Sequence, residues 1–85
     1  MAEAFVLIET QPGKHDEILS HLRKIEGVKS AHFVTGPYDI IAILEMVHMS
    51  QLRGLIGGHI HPINGITKTV TCLVMDETSA FENSL

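Results

Sequence analysis

The residues richest in chemistry form one short run, Gly36-Pro37-Tyr38-Asp39. A carboxylate beside backbone amides can hold both ends of an amino acid. The amides take the ligand carboxylate and Asp39 takes the ammonium. The same four residues also read as a well-made hairpin turn, because Gly before Pro turns the chain sharply and Asp bonds nearby amides. Thr67, Thr69 and Thr71 follow at a spacing of two, which in a strand puts their hydroxyls on one face. Strand propensity alone also selects β-branched residues there. Of the six histidines, His48, His59 and His61 are the candidate metal ligands, with Met46 and Met49 near in sequence. His59 and His61 point to one side of an extended chain and splay by about 200° on a helix. No H-E-x-x-H or paired-cysteine pattern accompanies them. His15 and His21 read as solvated or edge positions of a helix. His32 shares a strand face with Ser30 and Val34, where it can line a subunit contact and titrate. Cys72 lies mid-strand beside Leu73 and Val74 and reads as structural, not as a nucleophile. Asp39 with Tyr38 or His32 is the nearest approach to an acid–base pair. No nucleophile elbow, phosphate loop or dinucleotide fingerprint is present.

The elements that must position these residues follow from periodicity. Residues 4–10 and 29–35 are rich in strand formers, 40–47 form a third strand and 67–75 a fourth. Between the first two, Ile18, Leu19, Leu22 and Ile25 mark one face of a helix over 14–25, which Gly27 ends. The short turn at 36–39 makes the second and third strands an antiparallel hairpin. Ser50 can cap a second helix with apolar positions Leu52, Leu55, Ile56 and Ile60. Gly57-Gly58 weakens its middle, and Pro62 ends it and biases His61 toward an extended backbone. A shift of 38 residues superposes Ile25-Glu26-Gly27-Val28 on Ile63-Asn64-Gly65-Ile66, Ile18 on Ile56, His21 on His59 and Leu22 on Ile60. Two βαβ halves in one short chain predict an α+β, ferredoxin-like βαββαβ fold, an antiparallel four-stranded sheet with both helices on one face.

The strands do not alternate apolar with polar. Ala4, Val6 and Ile8 are backed by Phe5 and Leu7; Ile40, Ala42, Leu44 and Met46 by Ile41, Ile43 and Val47; Val70, Cys72 and Val74 by Leu73 and Met75. Two helices cover one face, so the second needs a cover from another subunit. The size of the chain points the same way. It has 85 residues, 45% hydrophobic and 19% charged, with one cysteine. Such a chain is one domain with a marginal core and no internal disulfide, stabilised by a partner or a metal. The domain is expected over 1–76, with an acidic, loosely held tail over 77–85. A net charge of −4 without a basic block argues against direct DNA binding. No signal peptide and no membrane-length apolar run appear, so a cytoplasmic protein with no membrane partner is expected.

In order and separation, Val34-Thr35-Gly36-Pro37-Tyr38-Asp39-Ile40 and Gly65-Ile66-Thr67-Lys68-Thr69-Val70-Thr71, with Pro62-Ile63-Asn64 before the latter, resemble the effector (RAM) domain of Lrp/AsnC transcriptional regulators. The likeness spans roughly residues 3–76. It implies a homodimer whose sheets pack face to face as a dimeric α+β barrel, and assemblies of dimers such as an octamer. It implies an amino-acid effector bound between subunits, with Gly36, Pro37 and Tyr38 at its carboxylate, Asp39 at its ammonium, and Thr69 and Thr71 nearby. No cofactor and no enzymatic activity are implied. The chain begins almost at its first strand, leaving no room for a recognition helix. A stand-alone effector domain is therefore expected, acting by self-assembly or with a full-length regulator. The alternatives are a histidine-mediated metal-binding protein of the same fold and a small cofactor-free barrel enzyme.

Overall fold

Alternate residues Ala4, Val6 and Ile8 of strand β1, Ala2–Thr10, are completely buried, and those between them are not. This one-sided burial sets the architecture of the computed structural model, which describes residues 1–76; the tail at 77–85 lies outside the described residues. Helix α1, His15–Leu22, lays Ile18, Leu19 and Leu22 on that face. It is shorter than the apolar spacing predicts. The winding tightens after Leu22 into bonds from Lys24 N–H to His21 O and Ile25 N–H to Leu22 O, both 3.1 Å, so Ile25 still packs against the core. Arg23 ties the helix end to the next strand, its Nη2 donating to Ala31 O at 2.8 Å.

Strand β2 is Val28–Phe33, β3 is Ile40–Met46 and β4 is Ile66–Leu73. The sheet is antiparallel in the order β2-β3-β1-β4. With both helical segments on one face, this is the expected ferredoxin-like α+β fold. Among the described residues no helix is long and apolar enough to cross a membrane.

The second helical stretch, residues 49–60, departs most from expectation. It opens as a 3-10 turn, Met49–Gln51, becomes α2, Leu52–Leu55, and widens into a π turn, Ile56–Ile60. Ser50 is not its cap; the chain enters at His48, whose N–H donates to Gln51 Oε1 at 3.0 Å. Gly57 and Gly58 fall inside the π turn, where their low helical preference lets the chain widen without ending. His61 is helical rather than extended (φ −55°, ψ −37°). Its N–H donates to Ile56 O at 2.8 Å, and that bond outweighs the bias imposed by Pro62.

The internal repeat survives in detail. Gly27 and Gly65 both sit at φ +101°, a region that costs other residues about 1–2 kcal/mol. Each starts a strand after an equivalent turn, Val28 N–H to Ile25 O and Ile66 N–H to Ile63 O. Each also receives a side chain from the other half: a Cβ on Gly27 would meet Leu55 Cδ2 at 3.0 Å, and one on Gly65 would meet Ile18 Cδ1 at 3.1 Å. Two residues further on, β2 and β4 each carry a bulge, at Lys29 and Thr67.

Among the described residues nothing covers the other sheet face. Register places Phe5 beside Ile43 and Cys72, and Leu7 beside Ile41 and Val70. These are half-buried or exposed, with Phe5 at 39%. Val47 lies beyond the end of β3 and does not join them; Glu45 takes the corresponding place and opposes Glu3. Lys29 from the bulge stands 3.4 Å from Glu3 and 3.7 Å from Glu45, offsetting a like-charge pair.

Gly27→Ala and Gly65→Ala are each expected to lower unfolding free energy by at least about 2 kcal/mol, combining backbone strain and displaced side chains. Gly13→Ala, also at positive φ but with nothing within 4 Å, should cost about 1 kcal/mol. Urea denaturation midpoints of the three variants check the order.

Candidate functional site

The turn at residues 35–39 is closed by Val34 N–H donating to Asp39 O at 2.8 Å. It is then pinned to the end of β1. Asp39 N–H donates to Ile8 O at 3.0 Å. The Asp39 Oδ2 accepts from Thr10 N–H at 2.8 Å and from Thr10 Oγ1 at 3.2 Å. One carboxylate oxygen is thus committed to structure. No hydrogen bond among the described residues takes up Oδ1, nor the N–H of Gly36 or Tyr38. Gly36 and Pro37 are exposed and Tyr38 and Asp39 half-buried. Pro37 has no N–H to offer, so the donors beside the carboxylate are Gly36 and Tyr38. Gly36 takes φ +154°, which L side chains rarely adopt, and this opens the turn ahead of Pro37.

Thr69 pairs with Ile8 and Thr71 with Val6 across β1, while Ile40 of β3 pairs with Ile8 from the other side. Thr69 therefore stands two strand spacings from the hairpin, about 10 Å, with β1 between them. Both threonines share the face of the buried Val6 and Ile8. Thr69 Oγ1 is 2.9 Å from His61 Nε2. Thr71 lines a groove against Leu52, Arg53, Ile56 and His61. The bulge removes Thr67 from this set: its hydroxyl donates to Glu9 Oε1 at 2.7 Å, so the three threonines do not share one face.

The histidines separate. His61 turns to Thr69, whereas His59 lines a cleft with His21, the divergence that a helical backbone imposes on a spacing of two. Among the described residues no group of three or more His, Cys, Asp and Glu could hold a metal ion. His15 stacks on Phe33 with ring centroids 4.0 Å apart, and His32 stands beside Ile41 on the uncovered face. Cys72 is exposed on that same face, not buried. Thr10, which orients Asp39, is the residue the sequence does not announce. Its partner is 29 positions away, and the one signal for it is its place at the end of β1.

Comparison with known proteins places the chain in a family. Residues 3–82 match the Lrp/AsnC ligand binding domain. The HTH-type transcriptional regulator FL11 of Pyrococcus abyssi is 31% identical over 72 residues, which are 85% of this chain and 47% of that protein. The chain thus spans about half the length of this curated relative. Among solved structures, TTHA0845 of Thermus thermophilus superposes with a TM-score of 0.87 at 26% identity, covering 91% of this chain and 96% of that one. The transcriptional regulator NMB0573 of Neisseria meningitidis, solved with L-Met, shares the fold with a TM-score of 0.80 at 18% identity, covering 89% of this chain and 51% of its own.

Asp39→Ala should destabilise the protein by about 1–3 kcal/mol with no ligand present, because it strands the half-buried Thr10 N–H. Asp39→Asn keeps an acceptor for that N–H and should cost less than half as much. Thermal unfolding of both variants checks this, and it makes Asn the fair control for ligand binding.

Proposed function

The chain belongs to the Lrp/AsnC ligand-binding domain family, and on that premise we propose that it is a regulatory effector domain that binds an amino acid at the Gly36–Asp39 hairpin. The observation that carries this reading is the pairing of two unengaged amide donors, Gly36 and Tyr38, with an unengaged carboxylate oxygen on Asp39. Donors and an acceptor carried on one pinned turn match the two ends of a zwitterion. Because Thr10 holds Asp39 in place, little conformational entropy is lost on binding. Thr69 and Thr71 enter as polar contacts from a neighbouring subunit's side of the site, since β1 separates them from the hairpin within one chain.

The uncovered apolar face supports assembly. Phe5, Leu7, Ile41, Ile43, Val70 and Cys72 line up across three strands and match the face of a second copy, giving a dimeric α+β barrel. Dimers then assemble further, as in an octamer, with the effector between subunits. In this reading the domain acts in the cytoplasm without touching DNA. It works as a stand-alone partner, by self-assembly or by joining a full-length regulator and altering its response. The curated relative is a transcriptional regulator, which favours this reading over catalysis.

Screening the amino acids by thermal shift, with L-methionine in the panel, should raise the melting temperature for at least one. Asp39→Asn should abolish that rise. No response to any amino acid would refute the effector reading and leave the fold untouched. Leu7→Lys or Ile43→Lys should convert the assembly into folded monomers in sedimentation velocity, because a charge on the paired face costs several kcal/mol of desolvation. An unchanged sedimenting mass would place the subunit contact elsewhere.

A further inference from the structure

The repeat has a consequence at the opposite end of the sheet. His21 and His59 are equivalent positions, 38 residues apart, and both line one cleft where the two halves meet. The cleft is open and has a volume of about 840 Å³, within the range of small-molecule sites. Its floor is apolar, from Ile25, Met46 and Leu55. Leu55 reaches that floor because Gly27 has no Cβ; one there would meet it at 3.0 Å. His21, Lys24 and Glu26 line the cleft from one half and His59 from the π turn of the other, while Glu45 borders it through its backbone, whose N–H donates to Gly27 O. π turns recur at functional sites because they re-aim a side chain. Here the turn carries His59. Among the described residues no hydrogen bond or ion pair engages the side chains of His21, Lys24, His59 or Glu26. Glu45 is held loosely by Lys29 at 3.7 Å.

The geometry points to a second ligand site, for a small hydroxycarboxylic acid with an apolar body. Lys24 and the imidazole N–H groups of His21 and His59 take its carboxylate, Glu26 accepts its hydroxyl, and its carbon skeleton lies on Ile25, Met46 and Leu55. This site is separate from the hairpin. Ala2 pairs with Met46 at the cleft end of β1 and Ile8 with Ile40 at the hairpin end, about 20 Å apart along the strand. It does not depend on the hairpin binding an amino acid.

Nuclear magnetic resonance of the histidine rings tests it, with sodium phenyllactate as the probe and sodium chloride at the same ionic strength as the control. Phenyllactate should move the His21 and His59 signals saturably and leave His32 in place. Lys24→Gln and His59→Gln, both at exposed positions, should each weaken the midpoint about tenfold, read at His21. Asp39→Asn should leave it unchanged. An unsaturable movement, an equal movement with chloride, unaltered midpoints in both cleft variants, or loss of the response in Asp39→Asn would overturn the assignment.

Discussion

Everything in the described residues follows from a sheet that is apolar on both faces and has helices against only one. Ala4, Val6, Ile8, Ile40, Ala42 and Leu44 are buried completely beneath the two helical segments. Each large side chain among them contributes about 1.5–3 kcal/mol relative to exposure. Phe5, Leu7, Ile41 and Ile43, on the same strands, have no such cover. Leaving them in water forgoes a comparable contribution in a chain that is too short to spare it. The constraint reaches the edges as well. Glu3, Glu45 and Lys29 cluster at one end of that face, and Lys29 places a charge on the edge strand β2, which discourages indiscriminate edge pairing.

The fold was legible because two independent patterns agree. Hydrophobic spacing gave the element order, and the 38-residue repeat fixed how the halves relate. The structure shows why the repeat is visible at all. Gly27 and Gly65 share φ +101° and each accepts a side chain from the opposite half, and bulges follow at Lys29 and Thr67. These are positions where backbone geometry, not surface chemistry, restricts the residue, so the two copies cannot drift apart there.

What was not legible depends on which particular hydrogen bonds form. Residue preference put a cap at Ser50 and an extended backbone at His61. Short-range bonds chose otherwise, through Gln51 at the helix entry and Ile56 and Thr69 around His61. Period-two spacing put three threonine hydroxyls together, and one extra residue in β4 sent Thr67 to Glu9. In the candidate site the four turn residues could be named from their types. Their division of labour could not, because Asp39 answers to Thr10 across the sheet.

That division bears on how such a site can signal. An aspartate spent entirely on its turn would be structural, and one left entirely free would wander and lose affinity on ordering. Asp39 is split: Oδ2 is fixed by two bonds from Thr10, and no hydrogen bond among the described residues takes up Oδ1 or the Gly36 and Tyr38 amides of the same turn. A ligand that draws on this carboxylate also pulls on Thr10, and through it on the end of β1. β1 is one of the two inner strands, paired with both β3 and β4, and its outward residues Phe5 and Leu7 lie within the uncovered face. On the proposed reading, ligand occupancy and subunit pairing share one strand. A coupling between them requires no long relay, since a change in the balance of bonds at Thr10 acts on the same backbone that presents the pairing surface.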